Sequence, residues 1–175
     1  MSEALAQIEE SIESIPDFPI KGVLFRDINP VLRDPKKFSI LIEKMSEGLK
    51  ELQLTKIVGI ESRGFILGSA LAARLGLGFV PLRKSGKLPG EILSQTYQLE
   101  YGEAILEIQK DSLDLDDRMV IVDDVLATGG TARAAVDLCQ KIGVKPLKLI
   151  VLIELLNLNG RGLVSDVNVE SFFKY

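Results

Sequence analysis

A chain of 175 residues has the size of one domain, and its 46% apolar and 26% charged residues suit a globular protein that builds its own core. One cysteine, Cys139, rules out an internal disulfide, and the absence of histidine rules out Ser-His-Asp and Cys-His catalysis and the usual His/Cys zinc sites. A net charge of −4 argues against broad nucleic-acid binding, which neutralises phosphates with Lys and Arg. A single domain over residues 1–175 is expected.

The opening stretch is acidic and amphipathic. Leu5, Ile8, Ile12 and Ile15 lie near helical spacing, which predicts a helix over 3–14 that ends at Pro16. It has neither the basic start nor the apolar core of a signal peptide, and no apolar run approaches the roughly 20 residues of a membrane span. With cysteine usage that fits a reducing compartment, a cytoplasmic location is expected. Residues 15–22 carry Pro16, Pro19 and Gly22 and are expected to be irregular. Asp34 then caps a helix with Pro35 in its first turn, running to about Leu52.

From there short apolar runs alternate with helical patterns. Strands are predicted at 56–60, 78–82, 119–124 and 147–155, and helices at 62–75, stopping at Gly76, and 131–142, stopping at Gly143. Strands apolar on both faces, alternating with helices, predict an α/β fold with a mostly parallel central sheet and helices on both faces. Residues 83–109 are first polar and glycine-rich and then partly alternating, which predicts a hairpin or flap projecting from the sheet. Residues 167–175 predict a last strand.

The strongest local signal is IVDDVLATGGTA, residues 121–132. A buried strand ends in Asp123 and Asp124, a Thr-Gly-Gly-Thr turn follows, and a helix begins. Ligands of open α/β sheets bind outside the carboxyl ends of the strands. A helix start offers unpaired N–H groups and the positive end of the macrodipole, which suits a phosphate. Gly129 and Gly130 allow close backbone approach, Thr128 and Thr131 add hydroxyls, and the two acids are placed for ribose hydroxyls or a metal-bound water. A nucleoside-triphosphate loop and a dinucleotide fingerprint are both absent. The plainer alternative is that the acids merely close a strand and the glycines turn the chain. A receiver module would also place acids at strand ends, but it has no need of the Thr-Gly-Gly-Thr turn.

Elsewhere Arg63 follows Ser62 at a strand end that starts a helix, an anion-friendly place, though an Arg there is commonly just solvated. Arg83, Lys84 and Lys87 crowd a glycine-containing loop. Alone they read as surface charge; beside a phosphate loop they read as a diphosphate site. Phe25 reads as core, Arg26 and Asp27 as a surface pair, and Glu100 as a solvated acid.

The run Asp-Asp-x-x-Ala-Thr-Gly-Gly-Thr resembles the phosphoribosyl pyrophosphate signature of the type I phosphoribosyltransferase family. DFPIKGVLFRDINPVL (17–32), ESRGF (61–65), RKSGKLPG (83–90) and SQTYQLEYG (94–102) extend the resemblance over nearly the whole chain, toward its adenine-using members. The resemblance implies the type I fold, with a flexible flap and a small N-terminal hood. It implies a 5′-phosphate held by Ala127, Thr128, Gly129, Gly130 and Thr131, and ribose hydroxyls held by Asp123 and Asp124. Pyrophosphate would fall to Ser62, Arg63, Arg83, Lys84 and Lys87, and adenine to Leu24, Phe25, Arg26 and Leu155. The catalytic group would be Glu100, Tyr101 and Arg63. Leu24 and Ser85 differ from the family pattern, a variation expected to be tolerated.

The implied reaction converts adenine and phosphoribosyl pyrophosphate to AMP and pyrophosphate. The ribose passes through an oxocarbenium-like state, and Glu100 handles the proton on adenine's N7 or N9 side as the flap closes. Magnesium (Mg2+) would travel with the substrate, touching Asp123 and Asp124 at most through water. A homodimer is implied, with no membrane or nucleic-acid partner. The rivals are a phosphoribosyltransferase for another base and a regulator that binds phosphoribosyl pyrophosphate. The regulator would need a basic surface or an added helix-turn-helix, for which this acidic chain has no spare segment.

Overall fold

The computed structural model describes residues 3–98 and 102–175. The chain forms two compact units, Met1–Glu47 and Gly48–Tyr175. The first opens with α1 (Glu3–Glu9) and then pairs β1 (Glu13–Pro16) antiparallel with β2 (Leu24–Asp27). The opening helix is thus shorter than its apolar spacing predicts. Residues 13–16 are drawn into a two-stranded ribbon, where Ile15 sits opposite Phe25. A short helix, α2 (Asn29–Arg33), leads to α3 (Pro35–Ser46). As expected, Asp34 caps α3, accepting from the amides of Lys36 at 2.9 Å and Lys37 at 3.1 Å. The helix stops short of Leu52 because Glu47 is extended and Gly48 has φ 75°, and only one further helical turn forms at Lys50–Leu52.

The second unit is a seven-stranded sheet. Its strands are β3 (Lys56–Ile60), β4 (Gly78–Lys84), β5 (Ile92–Gln98), β6 (Glu103–Gln109), β7 (Met119–Leu126), β8 (Lys148–Glu154) and β9 (Val169–Lys174). Their order across the sheet is β5-β6-β4-β3-β7-β8-β9. The five strands from β4 to β9 run parallel, and β5 and β6 form the expected antiparallel hairpin, with β6 antiparallel to β4. Two helices cover opposite faces: α4 (Arg63–Leu75) and α5 (Gly130–Ile142). Strand alternation sorts the core between them. Val58, Ile60, Val80, Leu82, Met119 and Ile121 join the cluster that holds α5. On the other face, Gly59 and Gly68 leave room for Phe79 beneath α4.

β8 returns to β9 through two short 3-10 turns, and one clamp fixes this crossover. Arg161 donates through Nε and Nη2 to the two carboxylate oxygens of Glu154, at 2.8 and 2.6 Å, and through Nη1 to the Val169 carbonyl at 2.8 Å. Ser171 adds a hydroxyl bond to the same carboxylate at 2.6 Å. The Arg161 guanidinium outweighs the opposing effect of burial and holds the Glu154 carboxyl down at about 2. A depressed carboxyl stabilises the fold above its unfolded value and loses that contribution as pH falls through the folded one. Arg161→Met is therefore expected to weaken the fold by about 1–3 kcal/mol at neutral pH. In urea titrations across a pH series, the gap from wild type should shrink below 4.5 and close near 2. A gap that is constant with pH would show that Arg161 acts through packing instead.

Candidate active site

β4, β3, β7 and β8 are parallel neighbours, so their carboxyl ends share one edge of the sheet. This is the edge at which open α/β sheets bind ligands. It carries Arg83 and Lys84 at the end of β4, residues 61–63 just after β3, Asp123 and Asp124 near the end of β7, and Leu155 just after β8.

Between β7 and α5 only residues 127–129 intervene. Asp123 and residues 125–132 line a cavity of about 70 Å³, the volume of a small anion rather than a whole nucleotide. The first-turn amides of α5 have no partner one turn back, so their N–H groups are available to such an anion. Two glycines shape the cradle. Gly129 has φ 90°, and a Cβ there would collide with the Gly160 carbonyl; a Cβ on Gly160 would run into the carbonyl of Ala127. Gly160 is a residue that sequence reasoning did not single out, because its partner lies in a loop more than a helix away. On the other flank, a Cβ on Gly130 would stand 2.7 Å from the Gln98 carbonyl, so the end of β5 closes against the loop.

The two acids behave differently. Asp123 keeps some accessible surface and accepts from the Asp124 amide at 2.9 Å, while Asp124 is buried. Arg63 Nε lies 2.8 Å from Asp124 Oδ2, an ion pair that ties the start of α4 to the end of β7. The N–H is not aligned on that oxygen, which is left without a hydrogen bond among the described residues. Burial, then the charge of Asp124, pushes the Asp123 carboxyl well above its usual range. Burial raises Asp124 too, against the pull of Arg63. With Asp124 Oδ2 unsatisfied and Asp123 partly accessible beside it, the pair is poised to accept hydroxyl donors or a hydrated cation. Among the described residues no cluster of three or more acids, cysteines or histidines can cage a metal. Two adjacent carboxylates are oxygen donors that suit a hard cation held mainly by other oxygens, as Mg2+ is when it arrives with a phosphorylated substrate.

The basic residues are more ordered than their sequence suggests. β4 continues through Lys84, so Arg83 and Lys84 stand on a strand end and the chain turns at residues 85–86. Glu61 gathers them. Its carboxylate accepts from Arg83 Nε at 3.3 Å, from the Lys84 amide at 3.0 Å and from Lys87 Nζ. Burial pushes Glu61 up, but Lys87, the Lys84 amide and Arg83 together outweigh it and hold the carboxyl at about 2. Glu61 thus keeps its charge at any working pH. Sequence reasoning read it only as part of the ESRGF run, because its partners follow 22 to 26 residues later. The Lys84 side chain is exposed and has no ion pair among the described residues.

Three of the four residues expected to contact the base, Leu24, Phe25 and Arg26, lie in the first unit. Leu24 is 47% exposed, Phe25 packs edge-on against Phe18 with ring centroids 5.1 Å apart, and Arg26 donates to the Ser14 hydroxyl. Leu155 in the second unit is half-buried, with its amide bonded to the Leu126 carbonyl at 3.0 Å. Glu100 and Tyr101 lie outside the described residues.

Known proteins carry the same pattern. A family model described as a phosphoribosyl transferase domain matches residues 32–172. The chain is 51% identical over 168 residues to an adenine phosphoribosyltransferase of Carboxydothermus hydrogenoformans, covering 96% of this chain and 99% of that one. It resembles the crystal structure of the adenine phosphoribosyltransferase from Thermoanaerobacter pseudethanolicus with a TM-score of 0.94 at 47% identity, over 98% of this chain and 99% of the other. The Saccharomyces cerevisiae enzyme, solved with an imino-altritol bisphosphate and adenine, matches with a TM-score of 0.93 at 39% identity, over 98% and 99% of the two chains.

The raised carboxyl of Asp123 makes a prediction with a definite sign. Such a group costs stability once pH rises above its unfolded value of about 3.9, and costs nothing in stronger acid. Asp123→Asn keeps an oxygen for the Asp124 amide and removes the buried charge. It is expected to raise Tm by about 2–4 °C near neutrality, with the gain fading toward pH ~4 in calorimetry. An equal gain at both pH values would show that charge is not the cause.

Proposed function

The chain belongs to the phosphoribosyltransferase family and, within it, to the adenine phosphoribosyltransferases, and from that premise we propose how its residues divide the reaction. The reaction itself joins adenine to the phosphoribosyl group of phosphoribosyl pyrophosphate, giving AMP and pyrophosphate, a pentosyl transfer of purine salvage. The observation that carries the division of labour is the charge order along one sheet edge: an amide cradle, then two acids, then clustered cations.

The cradle of residues 127–131 takes the 5′-phosphate on the first-turn amides of α5, with the Thr128 and Thr131 hydroxyls as further donors. Asp123 and Asp124 accept the ribose hydroxyls, and their field favours positive charge developing on the sugar. Ser62, Arg63, Arg83, Lys84 and Lys87 neutralise the diphosphate as it leaves. Magnesium, when bound, adds Lewis-acid charge on the leaving group. Leu24, Phe25 and Arg26 are assigned to adenine recognition, and Leu155 supplies an apolar contact to the base. Glu100, with Tyr101 beside it, transfers the adenine proton, a role assigned by family resemblance and by the lack of any histidine to take it. One phosphoribosyltransferase domain, a homodimer and a cytoplasmic location complete the reading on the same resemblance. Among the described residues no helix is long and apolar enough to cross a membrane.

The direct test is AMP formation from radiolabelled adenine with phosphoribosyl pyrophosphate and Mg2+, run beside hypoxanthine, guanine and orotate. Product from adenine alone is expected, and a preference for another base would overturn the assignment of residues 24–26. In the same assay Glu100→Leu is expected to lower kcat about 100-fold while each KM moves little. An unchanged kcat would remove Glu100 from the proton transfer.

A further inference from the structure

Glu107 is a buried acid with no part in the reaction as divided above. It lies on β6, where strand alternation turns Leu106 and Ile108 into the core and sends Glu107 to the other face. Its backbone pairs with Arg83 on β4 and Ser94 on β5. Although its side chain is on the face away from the core, Glu107 is only 4% exposed. Each carboxylate oxygen has one donor from the turn beyond β4. The Ser85 hydroxyl donates to Oε1 at 2.7 Å and the Gly86 amide to Oε2 at 2.9 Å.

Stability alone does not account for this arrangement. Ser85 and Gly86 are exposed residues of a turn, a place where water commonly serves such donors. Burying a carboxylate to do the same carries a desolvation cost. What the arrangement does achieve is geometric. Glu61 holds Arg83, the Lys84 amide and Lys87, while Glu107 holds Ser85 and Gly86 between them. Every residue from 83 to 87 is thereby fixed by one of two acids. We propose that Glu107 is a positioning residue for diphosphate binding, fixing through Ser85 and Gly86 the turn between Lys84 and Lys87. The inference rests on the assignment of Arg83, Lys84 and Lys87 to the diphosphate. It also gives Ser85, a departure from the family pattern, a role of its own through its hydroxyl.

The test compares Glu107→Gln, Ser85→Ala and Ser85→Thr, with Lys87→Ala as the reference, in steady-state kinetics and in calorimetric titration with magnesium pyrophosphate. Glu107→Gln removes the charge from both hydrogen bonds and forces the Ser85 hydroxyl to turn from donor to acceptor, while the amide oxygen can still accept from Gly86. It is expected to raise KM for phosphoribosyl pyrophosphate and weaken pyrophosphate binding about tenfold, with KM for adenine unchanged. Ser85→Ala should move the same constants in the same direction by a smaller factor, and Ser85→Thr, which keeps the hydroxyl, should restore them. Should Glu107→Gln fail to fold, the two Ser85 variants carry the test alone. An effect in Lys87→Ala with none in Glu107→Gln or Ser85→Ala would overturn the role of Glu107 only. No effect in Lys87→Ala would overturn the diphosphate assignment and this inference with it. An equal rise in both KM values with a lowered Tm would reduce Glu107 to a structural residue.

Discussion

Three neighbouring parallel strands end in, or run directly into, an acid that grips a cation from another segment. After β3 Glu61 holds Arg83 and Lys87, near the end of β7 Asp124 faces Arg63, and at the end of β8 Glu154 holds Arg161. Each acid is largely desolvated, so a missing partner would leave a buried charge, which is far costlier than the pair is favourable. The rigidity of the working edge depends on these pairs. They fix the start of α4, the turn after β4 and the crossover to β9 without adding to the apolar core.

The three pairs are not equivalent, and the difference follows the number of donors. Glu61 and Glu154 each receive three or more donors, and both carboxyls are held near 2. Asp124 is buried and faces one misaligned cation, and burial raises its carboxyl against the pull of that cation. The first two acids are saturated by the protein and act as anchors. The aspartate pair keeps unused acceptor capacity and stands beside the cradle at the start of α5, whose first-turn amides are available to an anion. Electrostatic strain is therefore concentrated where a ligand would relieve it.

The sequence was informative where an element is specified within a few residues. The strand–turn–helix of residues 119–142 was legible because apolar run, acids, glycines and threonines are consecutive, and Asp34-Pro35 announced α3 through local capping chemistry. The ends of α1 and α3 were not legible, since pairing with β2 and the conformation of Glu47-Gly48 override apolar spacing. Neither were Glu61, Glu107 and Gly160 as supports of the site. Their partners lie more than 20 residues away, and an isolated Glu or Gly gives no sign of what it will meet. The family resemblance supplied the chemistry, while the supporting contacts emerged only from the fold.

That division has a physical basis. A phosphate cradle needs consecutive amides, so it must be written as a contiguous motif. A cluster of cations is different, because lysines and arginines on one turn repel one another and are flexible. They gain a fixed geometry only from counter-charges, and a counter-charge placed next to them in sequence would compete with the ligand on the same surface. Acids recruited from β6 and from the residue after β3 hold the turn from other strands of the sheet and leave the Lys84 side chain exposed. Lys84, whose amide is held by Glu61 while its side chain stays exposed, shows the result: a backbone fixed from behind and a cation left facing solvent. Ordering the turn in advance reduces the entropy that a polyanion would otherwise lose to ordering it on binding.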